Sequence, residues 1–281
     1  MFTDNNLPSP QETSRTLFSE QDEIEYWESI YDRQDFLGFC YRARLNQALS
    51  WLDNADISGN SIILDAGCGT GVVTQGLAQR GYRALGLDSS DAMLCKADSV
   101  CNTFRRENIQ LMQGDAHTLP FRDSSIDAVV CLGVITYSKS EVKVLQELSR
   151  VLKPDGILIL SILNKSHLAY YLDVPRFIKN RLTKLRSNRS VSLQNTEEKQ
   201  SFTIRRYLIS GISKSLNQLG LTVTEYKTVP LGLLTFFNRE LPPEKLNMKI
   251  TLLLERFRGI PLVGSFGGMC LFKAIKKKDR E

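Results

Sequence analysis

Histidine and closely spaced cysteine pairs are what this sequence has least of. The chain holds two histidines, His117 and His167, and six cysteines (Cys40, Cys68, Cys95, Cys101, Cys131, Cys270) with no C-x-x-C pair. That spacing forms neither a zinc site nor a disulfide framework, so no metal is expected. Cys68, Cys95 and Cys131 lie in or beside apolar runs, the setting of small buried reduced thiols. No uncharged apolar run reaches the roughly 18 residues of a membrane span, and the first residues lack a basic-then-apolar leader. The expected location is therefore cytoplasmic. A net charge of +5 is too small for strong phosphate-backbone binding unless it is concentrated in one place. With no stacking-aromatic module either, nucleic acid is not the expected partner.

What is present is a punctuated α/β pattern. A chain of 281 residues fits one large domain, or one domain with a cap. Its organising stretch is 61–79. A buried-type strand, Ile62 to Leu64, runs into Asp65 and then into Gly67, Gly69 and Gly71; a helix-patterned run, Val72 to Gln79, follows. Glycines let the backbone turn sharply and approach a ligand, and the next helix aims its unpaired N–H groups at that ligand. The G-x-G-x-x-G dinucleotide fingerprint is not met, because its third glycine position is Val72. The Asp65 carboxylate would repel a pyrophosphate and welcome an ammonium.

At Leu64-Asp-Ala-Gly-Cys-Gly-Thr-Gly71 the sequence resembles motif I of the class I S-adenosylmethionine (SAM) methyltransferases, approximately LDxGCGTG. Four further segments follow in that family's order. Ala84-Leu-Gly-Leu-Asp88 reads as a second strand ending in an acid, 17 residues after Gly71, near the spacing that sets a carboxylate on ribose hydroxyls. Ile109 to Phe121 resembles the family's GDAxxLPF segment. Ile126 to Ile135 is a near-continuous apolar run, as for a central parallel strand. Arg150 to Leu160 resembles the usual entry to the fifth strand, with a turn at 153–156 between the helix Glu141 to Leu152 and a strand Ile157 to Ile162. A helix over 204–219, a sixth strand Leu221 to Val229 and a seventh, Gly268 to Ile275, complete the pattern.

The resemblance covers roughly residues 61–163, and it implies a Rossmann-like α/β three-layer sandwich. Its seven-stranded sheet would be mostly parallel with an antiparallel last strand, and helical cap insertions would be added. It implies SAM as cofactor, S-adenosylhomocysteine (SAH) as product, and the small-molecule branch of types 11 and 25. Cofactor contact then falls to Asp65, Ala66, Gly67, Cys68 and Gly69 in the loop, and to Asp88, Ser89 and Met93 beyond the second strand. Asp115 and Ala116 would meet the adenine, Leu132 would open into the crevice, and His117 becomes an adenine neighbour or a surface residue.

Residues 1–20 read as a flexible tail and 21–163 as N-terminal helices plus cofactor core. From Gln21 to Leu52 the pattern is helical and amphipathic, with Gly38 a possible break. In the family such helices lie over the cofactor, which would bring Tyr31, Arg42 and Arg44 to its carboxylate or to the pocket roof; otherwise the aromatics are core and the arginines solvated. A basic and apolar insertion is expected over 164–200, then the rest of the core over 201–281 with an acceptor cap at 230–267. Six Lys/Arg and no acid lie between Arg176 and Arg189, a stretch suited to a membrane surface or to a solvated helix face.

The family has no universal catalytic residue. His167, after the fifth strand and with an imidazole that titrates near neutral pH, is the first candidate base, and Tyr137 the second; proximity alone would serve an acidic phenol or enol. The expected activity is methyl transfer to a small, apolar or amphipathic organic acceptor, at a hydroxyl oxygen. The alternatives are a lipid- or glycan-linked acceptor at a membrane, a nucleic-acid modifier, and a SAM-binding protein without turnover. No feature of the pattern specifies an oligomeric state.

Overall fold

A computed structural model gives the architecture. It describes residues 20–102, 106–166, 204–229 and 267–278, together with Phe18 and positions 235, 236, 239, 240, 249, 253 and 256. The elements are α1 (Gln21–Ser29), α2 (Phe36–Asp53), β1 (Ile62–Ala66), α3 (Val72–Gln79), β2 (Arg83–Asp88) and α4 (Asp91–Cys101). They continue with β3 (Ile109–Gln113), β4 (Ile126–Leu132), α5 (Glu141–Val151), β5 (Leu152–Leu163), α6 (Ile209–Gln218), β6 (Leu221–Val229) and β7 (Met269–Lys276). The sheet order is β3-β2-β1-β4-β5-β7-β6. Neighbours from β3 to β5 are parallel, whereas β7 runs antiparallel to both β5 and β6. This is the expected mostly parallel seven-stranded sheet with its antiparallel last strand.

Alternation along the strands divides the core into two layers. Leu64, Val129, Cys131, Leu158 and Leu160 face one side, where Val144, Leu145 and Leu148 of α5 and Ile212 and Leu216 of α6 cover them. Ile63, Ala128, Val130 and Ile159 face the other, against Leu49 and Leu52 of α2 and Val73 and Leu77 of α3. Both faces are covered, so the central strands carry continuous apolar runs.

Boundaries differ from expectation at three places. The N-terminal helical pattern breaks over 30–35, before Gly38. Asp35 then caps α2 by accepting the Gly38 N–H at 2.9 Å, and a Cβ at Gly38 would sit 2.1 Å from the Arg33 carbonyl oxygen. The apolar run after β4 stops being strand at Leu132: Gly133 has φ 89° and Val134–Tyr137 forms a single helical turn. The turn at 153–156 is absorbed into β5 as an irregularity, because Ile126 pairs with Leu152 and Ala128 with Ile157.

At the end of β5 a buried asparagine ties three segments together. The Asn164 N–H donates to Gly268 O and its Nδ2 to Gly267 O, each at 2.9 Å, and its backbone bridges to Tyr207. The expected insertions at 164–200 and 230–267, the basic run at 176–189 and His167 lie wholly or largely outside the described residues.

Candidate active site

The carboxyl ends of β1, β2 and β4 open on one side of the sheet, where open α/β folds place their ligands. A cavity of about 230 Å³ lies there. Its floor is the loop after β1. Gly67 has φ 79°, a conformation that side chains rarely adopt, and a Cβ there would fall 2.2 Å from Val134 Cγ2. Glycine is therefore required at the closest approach of the β1 and β4 loops.

Three carboxylates surround that floor. Asp65, fully buried at the end of β1, accepts the Thr74 hydroxyl at 2.6 Å. Burial raises its carboxyl to about 7; the Thr74 bond opposes this and the nearby Asp88 charge adds to it. Asp88 closes β2, where one oxygen accepts the Gly69 N–H and the other the Ser90 N–H, each at 2.9 Å. Its carboxyl is also raised by burial, against the pull of those backbone bonds. Asp115, in the loop after β3, accepts both the backbone N–H and the ring Nδ1 of His117, at 2.8 and 2.6 Å. Ser90 meanwhile caps α4 by accepting the Met93 N–H.

The roof is aromatic. Phe18 stands edge-on to Tyr137 with ring centroids 5.4 Å apart, and Trp27 packs on Tyr41 at 5.6 Å and on Tyr137 at 6.5 Å. Arg44 enters from α2, with its guanidinium 4.5 Å over the Tyr41 ring and one nitrogen donating to the Tyr31 hydroxyl at 3.2 Å. The opposite end is bounded by Thr136, Ser161, Leu163 and Met269. Among the described residues, four buried side-chain N or O atoms have no hydrogen-bond partner, and three of them belong to this cavity: Trp27 Nε1, Arg44 Nε and Thr136 Oγ1. Buried polar groups without partners are destabilising by about 1–3 kcal/mol each, more when charged. Such a cluster in one cavity marks a polar ligand site.

The comparisons with known proteins agree on the class. A profile of the family described as "Methyltransferase domain" matches residues 64–160. The chain belongs to the class I S-adenosylmethionine-dependent methyltransferases. It is 29% identical to a demethylmenaquinone methyltransferase of Tropheryma whipplei over 205 residues, covering 67% of this chain and 82% of the relative. It is 29% identical to a ubiquinone biosynthesis O-methyltransferase of Pseudomonas aeruginosa over 133 residues, 45% of this chain and 54% of that one. Among solved structures, magnesium protoporphyrin IX methyltransferase from Synechocystis, with bound SAH, shares the fold. Its TM-score is 0.61 at 17% identity, over 95% of this chain and 100% of that one.

This methyltransferase uses SAM, and the residues of the cavity fit it. The cofactor carries an ammonium, a carboxylate, a vicinal diol and an exocyclic amine; the cavity opposes them with three carboxylates and an incompletely satisfied guanidinium. Of the residues singled out for the cofactor, Tyr31, Asp65, Gly67, Cys68 and Gly69 line the cavity, as do Asp88, Ser89, Met93, Asp115, Ala116 and Leu132. Ala66 does not; it is fully buried in the core at the end of β1. Arg42 is a correction: its guanidinium donates to the Tyr31 and Arg33 carbonyls, pinning the turn before α2, and Arg44 takes the place by the cavity. The amphipathic pattern places both arginines on a helix but does not show which one turns inward.

Tyr137 lines the cavity, but burial raises its hydroxyl to about 12. It stays protonated at neutral pH and suits a hydrogen-bond donor or a ring wall, not a base. His167 lies outside the described residues. His117 lines the cavity instead. Phe18 falls within the expected flexible tail, yet its carbonyl accepts the Ser90 hydroxyl at 2.8 Å and its ring joins the roof. The apolar pair Leu17-Phe18 just before α1 was the available signal. Among the described residues no helix is long and apolar enough to cross a membrane, and no cluster of His, Cys, Asp or Glu is placed to hold a metal.

Proposed function

We propose that this methyltransferase acts on the hydroxyl of a planar, apolar small molecule of the phenol or quinol class. The observation that carries the reading is the division of the cavity. Every charged side chain on its described lining lies toward the β1–β3 loops and α2, whereas the end at Thr136, Ser161, Leu163 and Met269 offers hydroxyls and apolar surface beside an aromatic roof. Relatives named for menaquinone and ubiquinone substrates support the acceptor class, and one of those names specifies oxygen.

The residue roles follow from chemistry. Asp65 faces the cofactor ammonium, Arg44 its carboxylate, Asp88 the ribose diol and Asp115 the adenine amine, each as a charge-assisted contact. Held by these residues, SAM would supply an electrophilic methyl group to the acceptor oxygen and become the neutral thioether SAH, with the hydroxyl proton lost to water. The chain's own contribution is alignment and exclusion of water. Phe18, Trp27 and Tyr137 cover the site, and the Thr136 and Ser161 hydroxyls orient the acceptor oxygen. An acceptor acidic enough to ionise needs no carboxylate or imidazole at that end. The segments 164–200 and 230–267 act as the acceptor cap, and the reaction takes place in the cytoplasm.

Methyl-labelled SAM and a panel of phenols and quinols with short and long apolar tails test this. The expected result is label in an organic-extractable product, located on oxygen by NMR. Label on carbon would sink the O-methylation reading; turnover of amines with none of phenols or quinols would sink the acceptor class. A second reading keeps the chemistry and places the acceptor in a membrane, on the strength of the 176–189 basic run. Turnover only in the presence of anionic vesicles would favour it.

A further inference from the structure

We infer that His117 is a positioning residue for base recognition: with Ser138 it forms a clasp that orients the Asp115 carboxylate toward an exocyclic amine, so that the site selects a 6-amino over a 6-oxo purine. The inference rests on the cofactor reading above and extends it to two residues that touch no part of the reaction.

The clasp joins two loops that flank the cavity. His117 Nδ1 lies 2.6 Å from Asp115 Oδ1, and Nε2 lies 2.8 Å from Ser138 Oγ, across the gap between the β3 and β4 loops. Ser138 Oγ also accepts the Ser140 N–H at 3.1 Å. One assignment of protons satisfies the whole chain. Nδ1–H donates to Asp115, Nε2 accepts the Ser138 hydroxyl, and the Ser138 oxygen accepts from the backbone. Asp–His–Ser is also the order of acyl-transfer triads. Here, however, the serine is 7% exposed and its Oγ is engaged by the ring Nε2 and the Ser140 N–H, so it acts as an anchor.

Anchoring matters because the loop around Asp115 is already a tight turn. Thr118 N–H donates to Asp115 O at 2.9 Å, and the two residues form an antiparallel bridge. The turn fixes the Asp115 backbone. The His117 N–H and ring, both donating to Oδ1, fix the carboxylate plane and with it the directions in which the carboxylate accepts. An ionised carboxylate only accepts, so it rewards an N–H₂ and opposes a carbonyl. A carboxylate held in one plane keeps that preference; one free to turn and hydrate loses much of it.

The test is calorimetry on the full chain with SAH and with its 6-oxo analogue, S-inosylhomocysteine. In His117→Ala, SAH is expected to weaken about tenfold, the scale of one charge-assisted hydrogen bond, while the 6-oxo ligand changes less than about twofold. The preference for the amine therefore shrinks. His117→Asn, whose amide can donate to Asp115, should recover part of it, and Ser138→Ala should narrow the preference in the same direction by less. If both ligands weaken equally, so that their ratio stays at the wild-type value in His117→Ala and Ser138→Ala, the histidine is only structural and the inference is wrong. Should His117→Ala fail to fold, Ser138→Ala decides alone. Wild-type protein that binds neither ligand would overturn the cofactor reading itself, a result separate from an unchanged ratio.

Discussion

The two ends of the cavity are built by different means. On the β1–β3 side, an acid lies within two residues of the end of each parallel strand: Asp65 and Asp88 in the last two positions of β1 and β2, and Asp115 just past β3. Those carboxylates are held by short local bonds, to Thr74, to Gly69 and Ser90, and to His117. On the β5–β7 side the strands are antiparallel, and the lining is apolar or hydroxylic. The first side is the end whose chemistry fits the cofactor, and that chemistry sits at the ends of consecutive strands. The second is the end proposed for the acceptor, and its chemistry is not tied to strand-end acids of that kind.

The sharpest test of this division is Asp88→Ala. It removes the acceptor for two loop N–H groups and for the ribose diol together, and SAH affinity should fall at least about a hundredfold. Met269→Ala at the other end should leave SAH within about threefold by the same calorimetry. A comparable loss there would break the comparison.

A smaller effect separates two arginines on one helix. Arg44→Leu should weaken SAH at least about tenfold, yet leave methylthioadenosine, which lacks the amino-acid carboxylate, within about twofold. Arg42→Leu should leave both ligands unchanged and lower thermal stability by about 1–2 kcal/mol, through its lost bonds to the Tyr31 and Arg33 carbonyls.

The smallest effect is a pH dependence from Asp65, whose carboxyl burial raises to about 7. An acid with a higher pKa folded than unfolded binds more protons in the folded state, so its contribution to stability is lost as pH rises from about 4 to about 7. The melting temperature of the ligand-free protein should therefore fall over that window, and the Asp65→Asn variant should lack this component. Ligand binding should run the other way. The ammonium needs the ionised form, so SAH affinity should rise about tenfold between pH 6 and pH 8 and lose that rise in Asp65→Asn.

Legibility in the sequence follows the same division. Strand, acid and glycines are contiguous at 61–71, so they stand out in the sequence; the mostly parallel sheet with its antiparallel last strand came from the family resemblance, and the strand order only from the structure. Arg42 and Arg44 show the limit. Both lie on α2, two residues apart, and only the packing of that helix on the sheet turns one inward. Phe18 shows another: its place depends on a bond to Ser90, 72 positions away, which no local pattern encodes. The His117–Ser138 contact spans 21 positions for the same reason.

Asn164 is a joint between separate stretches of the chain, built from a single residue. Its bonds to Gly267 and Gly268, with the bridge to Tyr207, bring residues 164, 207 and 267–268 to one fastening point on the sheet, so the two stretches proposed as the acceptor cap both begin or end near it. A segment of different length or composition has only to meet that fastening for the strands beneath to pair as before. Enzymes of altered substrate range should therefore be obtainable by transplanting the segments between Asn164 and Tyr207 and between Val229 and Gly267, with the cofactor half left untouched.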